Sequence, residues 1–242
     1  MKNASRPEEP PLNHSNSSFG PPSIIFCLIL MALLVAILLP PLNGRHTAKV
    51  VYCLANLKSI ALASNMYQSE NAGMFPSAGD GTPRNEDWIY WQTSRDPKGG
   101  ALVSYMGNLF VKKVYICPDV NISRPANIYQ YSYTANVNIL ILNGSTIPGM
   151  PAEPVRYGEI KSPSTKILFV EEDNASIDDA AWEPQNWTPT GKTNVLATLH
   201  DKFQGDASGL GKGTASFADG HAELIERKEA MRPIFYDPWA LR

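Results

Sequence analysis

RHTAKVVYCLANLKSIALASNMYQSENAGMFP, Arg45 to Pro76, is the stretch on which the fold turns. Within it Val50, Leu54, Leu57 and Ala61 recur at spacings of four, three and four, which puts them on one face of a helix. The predicted helix runs from Arg45 to about Glu70. Asn71-Ala72-Gly73 supplies the stop, because glycine takes the left-handed conformation past a last turn without steric cost. Phe75-Pro76 then leaves in extended form. A one-sided helix of this length must bury its apolar stripe against another layer, so its flanks set the architecture.

Upstream, SIIFCLILMALLVAILL (Ser23 to Leu39) carries no charge. As a helix it is about 25 Å long, close to the thickness of a hydrocarbon core. A retained membrane helix is expected rather than a cleaved secretory signal, since the following PPLNGRH offers no small-residue cleavage site. Pro40-Pro41 should break or kink the junction. Residues 1–22 are polar and proline-rich, a composition that does not fold alone. The expected organisation is a leader over 1–22, a transmembrane helix over 23–42, an amphipathic helix over 43–71, a β-rich domain over 72–228 and a tail over 229–242. Charge orients the segment weakly. Lys2 and Arg6 are offset by Glu8 and Glu9, and Arg45, Lys49 and Lys58 follow, which alone leans towards a cytoplasmic C-terminal domain.

Downstream, the chain reads as short strands in long loops, with most of its 20 prolines and 17 glycines placed beyond residue 70. KILFVEE (Lys166 to Glu172) and YSYTANVNIL (Tyr131 to Leu140) are strand candidates. TASFADGHAELIE (Thr214 to Glu226) carries the strongest local signal. Asp219-Gly220 between two alternating runs predicts a two-residue type I′ hairpin, whose central positions both need positive φ. An apolar fraction of 43% supports an ordinary core, and a net charge of −2 with no basic stripe argues against nucleic acid as the main partner.

Of three cysteines, Cys27 falls in the apolar run. Cys53 and Cys117 are either one disulfide in an oxidising compartment or two half-buried thiols. No C-x-x-C pair is present, which argues against zinc on paired cysteines. His200, Asp201, Asp219 and His221 are catalytic candidates on paper. Asp219 is required by the turn, however, and no H-E-x-x-H, G-x-S-x-G or Walker pattern accompanies them, so no enzymatic activity is expected. Calcium is the better metal reading. Glu171 and Asp173, in the acidic run EEDNASIDD, and the pair Asp201 and Asp206 offer hard oxygen donors on loops, against the alternative of a solvated acidic loop. Trp88, Trp91, Trp182 and Trp187 form either a carbohydrate-stacking face or the core of a loop-rich domain.

Taken together, several of these runs resemble one family. Cys53-Leu54, Asn56-Leu57-Lys58, Met66-Tyr67 and Phe75-Pro76 match a C-L-x-N-L-K-x-I-x-L-A-x-x-M-Y helix ending in F-P. YICPD (Tyr115 to Asp119), YSYTAN (Tyr131 to Asn136), ILFVEED (Ile167 to Asp173) and FADGH (Phe217 to His221) follow in the same order. The chain over about residues 23–228 thereby resembles the type IV pilin-like, type II secretion pseudopilin-like proteins of planctomycetes and their relatives.

The resemblance implies an α+β pilin-like fold, with a long N-terminal helix packed on a small antiparallel sheet with long loops. It implies a single-pass inner-membrane protein held in lipid by residues 23–39. Its C-terminal domain would be periplasmic or extracellular, and its partners would be other pilin-like or pseudopilin subunits. That topology favours the Cys53–Cys117 bridge, and some secretion pseudopilins bind calcium near their C-terminus. Two departures stand out. The family's processing site reads G-F-T-L-I-E, cut after the glycine. Here Phe19 falls at the first mature position, Ser18 precedes it, Gly20 is displaced and Ser23 replaces the glutamate that pairs with a neighbour's amine. Eighteen residues separate His200 from Asp219 where the family motif has nine, consistent with an insertion around GDASGLGKG. The rival reading is a stand-alone periplasmic binding module, for a carbohydrate or protein ligand, on a degenerate pilin anchor.

Overall fold

The computed structural model describes residues 21–38, 44–107, 111–140, 155–186, 194–201 and 210–241. The chain divides into two units, Met1–Gly44 and Arg45–Arg242. The first contains α1 (Pro21–Leu38), whose two prolines occupy the first turn, where their missing N–H groups leave no helical bond unmade. Ile24 to Val35 are exposed. Among the described residues no helix is long and apolar enough to cross a membrane. The Pro40-Pro41 junction and the processing residues Ser18, Phe19 and Gly20 lie outside the described residues.

The second unit begins with α2 (Gly44–Glu70), close to the predicted bounds. It stops as expected: Ala72 and Gly73 take φ of +55° and +82°, and the Gly73 N–H donates to the Gln68 carbonyl at 2.8 Å. Its buried face comprises Val50, Cys53, Leu57, Ile60, Ala61 and Ser64. Leu54, expected on that stripe, is only half-buried, because the face is turned towards Cys53. On the opposite side Val51, Leu62 and Met66 remain 59%, 46% and 51% exposed.

Between α2 and β1 the described chain forms short 3-10 turns, at Pro97–Gly99, Ser104–Met106 and Lys112–Tyr115. The sheet contains β1 (Tyr133–Asn136), β2 (Ile167–Glu171), β3 (Ala181–Trp182), β4 (Lys212–Phe217) and β5 (Ala222–Glu226), in the order β3-β1-β2-β4-β5. The architecture is thus α+β, with a mixed rather than an antiparallel sheet. β1 pairs antiparallel with β2, and β2 with β4, but β3 lies parallel to β1. The chain leaves β2 and returns along the far side of β1, which gives the edge strand its opposite sense. Cys53, Leu57 and Ile60 of α2 share one core with Trp88, Tyr115, Tyr133 and Phe169. Trp88 packs on Phe169 with ring centroids 5.0 Å apart.

The hairpin forms where the sequence placed it, with Ser216 opposite Ala222, but through a different turn. The Gly220 N–H donates to the Phe217 carbonyl at 2.9 Å, and within the turn only Gly220 has positive φ, +92°. This is a three-residue connection with glycine in the left-handed position, rather than a type I′ turn. Asp219 keeps negative φ because its Oδ1 accepts the His221 N–H at 3.1 Å, closing the local ring that Asp favours in turns. Beyond β5 the chain stays packed. α3 (Arg227–Ala230) and α4 (Pro233–Tyr236) follow, Ala230 and Met231 join a second core with Trp182 and Phe217, and Lys166 Nζ donates to the Ile234 and Ala240 carbonyls at 2.6 Å.

Candidate functional site

Four distant segments converge beside α2. Cys53 comes from its buried face and Cys117 follows the turn Lys112–Tyr115. Glu171 is the last residue of β2, and His200 lies in the loop before β4. All four are buried, and one ligand-type atom from each lies within 4.8 Å of every other. Both cysteines are free thiols, with Sγ atoms 2.9 Å apart. Nε2 of His200 lies 3.3 Å from Cys117 Sγ and 3.2 Å from Oε2 of Glu171.

Three of the four are held from behind. Nδ1 of His200 faces Asp119 Oδ2 at 3.1 Å, and Asp119 is in turn paired with Lys49 of α2. Thr214 Oγ1 donates to Oε2 of Glu171 at 2.7 Å. The Cys117 N–H donates to Ser132 Oγ at 3.0 Å, and the Asp119 N–H approaches Cys117 Sγ at 3.4 Å. Oε1 of Glu171 is buried without a hydrogen-bond partner among the described residues.

The local field redistributes protons. Hydrogen bonding to Cys117 lowers the Cys53 thiol to about 7, against burial and with help from His200. Cys117 is raised by the same contact, by burial and by the Glu171 charge. Burial pulls His200 down, but contacts with Cys53 and Glu171 outweigh it and push the imidazole up to about 10. The cluster is therefore a sulfur-rich pocket, closed to solvent, in which one thiol is eased towards thiolate while the other thiol and the imidazole hold their protons more tightly.

The residues singled out from the sequence are placed differently from one another. Cys53 and Cys117 meet, but as two buried thiols rather than the half-buried thiols or the disulfide expected. His200, the histidine of the family's His…Asp-Gly motif, does not sit at the hairpin. Its ring joins Cys53, whereas Gly220 of the turn approaches Leu62 and Asn65, on the order of 14 Å further along the helix. His221 stacks on Phe217 at 4.3 Å and bonds Asp219 at the surface, away from the buried His200. The calcium candidates also part company. Glu171 turns inward to sulfur and imidazole. Asp173 Oδ1 accepts from the Ala175 N–H while its Oδ2 faces Arg227 at 3.6 Å, and Asp201 accepts from the Lys212 N–H at 2.9 Å. Asp206 lies outside the described residues, as does Trp187. Trp88 and Trp182 are fully buried, and their indole N–H groups donate to the Ala180 and Asn194 carbonyls. Trp91 donates to the Gly79 carbonyl. Trp88 and Trp182 are thus core residues, and Trp91 is half-buried against the core.

Sequence reasoning missed the convergence, along with Asp119 and Thr214 as its supports. No two ligand-type residues lie within one short motif, so local spacing held no signal. Comparison with protein-family models, with curated proteins and with solved structures returned no match.

Proposed function

We infer that this chain is a membrane-anchored, pilin-like structural subunit of a type II secretion pseudopilus or a type IV pilus-like assembly. The observation that carries the reading is α2, a 27-residue helix with apolar residues on two opposite sides. One side is sealed into the core, while Val51, Leu62 and Met66 stay outside it. A helix that fills a core needs only the first stripe; the second is the kind of surface that covers itself with another subunit.

The charge-free run Ser23–Leu39 supplies the anchor. At about 25 Å it is slightly short for a bilayer, a mismatch that local thinning accommodates at small cost. In lipid, association of such helices rests on packing rather than on the hydrophobic effect. With Ser23 in the glutamate position, the segment carries no charge into the membrane. The domain lies in the periplasm and presents its loops to partners; its work is structural rather than catalytic.

The mature N-terminus, determined by mass spectrometry on protein extracted from its native membrane, tests the reading. Cleavage after Ser18 or Gly20 with a methylated new amine is expected of an assembling subunit. An intact Met1 end would favour the stand-alone binding module, for which the missing glutamate is the specific observation.

A further inference from the structure

We propose that Cys53, Cys117, Glu171 and His200 bind one zinc(II) ion in a closed tetrahedral site that fastens α2 to the sheet. Zinc–ligand distances of about 2.3 Å to sulfur and 2.0–2.2 Å to nitrogen or oxygen imply ligand–ligand edges of roughly 3.3–3.8 Å. The Cys117–His200 and His200–Glu171 edges, 3.3 and 3.2 Å, already lie at that scale. The thiol pair at 2.9 Å must open by about 0.9 Å to match, a small side-chain rotation. Glu171 contributes Oε2, the oxygen of the His200–Glu171 edge, which also accepts from Thr214 Oγ1 and is thereby oriented.

The surroundings are those of a metal site. Asp119 Oδ2 stands 3.1 Å from Nδ1 of His200, near enough for a small rotation to give the carboxylate–imidazole bond that orients zinc-bound histidines, and Nε2 is left directed at Cys117. The Asp119 N–H against Cys117 Sγ stabilises thiolate charge on that ligand. Glu171 is fully buried with one oxygen unpartnered, beside two buried sulfurs, and a buried carboxylate persists when a cation pairs with it. A divalent ion supplies that charge.

Ligand chemistry selects the metal. Calcium takes six to eight oxygens, which a set with two sulfurs cannot give. Two thiolates, an imidazole and a carboxylate suit zinc, and four protein ligands with no open position make the site structural. On binding, the thiol protons and any proton on His200 Nε2 leave to solvent, and the metal takes the vacated lone pairs.

The test uses the full-length chain in detergent, isolated without chelator and then stripped and titrated. Elemental analysis should find one zinc per chain. Cobalt(II) added to stripped protein should give a thiolate-to-metal absorption band that zinc abolishes. Cys53→Ser should lose the band and the zinc-dependent rise in unfolding temperature. Asp119→Asn, a change at a positioning residue, should keep the band but weaken zinc binding about 10- to 100-fold. The wild-type titration stands even if a variant fails to fold. Reduced protein that binds neither metal would overturn the proposal, and so would a Cys53–Cys117 disulfide in the protein as isolated. Occupancy is read on the isolated chain, so neither result depends on whether the subunit assembles.

Discussion

Asp179 shows the cost of burying a single carboxyl. Its Oδ1 accepts the Ala181 N–H at 2.8 Å, yet burial outweighs that bond and, with the charges of Asp178, Glu183 and Asp80, pushes its pKa up to about 7. The folded state therefore binds the proton more tightly than the unfolded chain, where the value is about 3.9. The stability contributed by that proton is complete below about pH 4 and is lost as pH rises through 7. Asp179→Asn keeps the acceptor and removes the charge. It should stabilise the protein by on the order of 1 kcal/mol at pH 7.5, with the gain fading towards pH 4. Thermal unfolding across that range checks it; a gain that does not change with pH would contradict it.

At the same scale the sequence disclosed identities and not encounters. Cys53 and Cys117 could be paired because so few cysteines are present, whereas Glu171 reads as part of an acidic loop. His200 reads as a partner of the Asp-Gly turn. What joins them is the approach of β2 and the 194–201 loop to α2, a tertiary event with no local trace.

Among the elements, α2, β2 and the β4–β5 hairpin were legible because periodicity and turn chemistry agree there. β3 was not, for two residues carry no pattern, and its parallel sense depends on where the returning chain finds an open edge. The stripe of α2 was read slightly out of phase. Leu54 outranks Cys53 in hydrophobicity, but the pocket behind Cys53 is what the helix closes.

Two glycines test the sheet. A Cβ on Gly213 would stand 2.0 Å from the Ala197 carbonyl oxygen, a backbone atom held by the loop that carries His200. A Cβ on Gly220 would meet the Leu62 side chain at 3.1 Å, with φ of +92°. Gly220→Ala should cost about 1–2 kcal/mol from backbone conformation. Gly213→Ala should cost more, about 3 kcal/mol or above, because backbone must shift. Denaturant midpoints rank the two, and the reverse order would refute this account of how β4 meets the loop.

For the whole molecule, the sheet domain covers one side of α2; on the other, among the described residues, the hairpin approaches Leu62 while Val51 and Met66 stay exposed. The pilin-like reading assigns that side, together with the apolar run before it, to contacts with a second subunit. The sequence suggested the reading through ordered motifs, but it did not show that Val51, Leu62 and Met66 lie opposite the core face, since a stripe of alternating sizes with Lys58 among it resembles an ordinary solvated surface.

The most direct test is site-specific photocross-linking in native membranes, with a benzophenone side chain at position 51 or 66 and a control at exposed Glu226 of β5. The account predicts adducts from 51 and 66, identified by mass spectrometry as a second copy or another pilin-like subunit, and none from 226. Uncross-linked monomer at both stem positions, or equal adducts at all three, would contradict it.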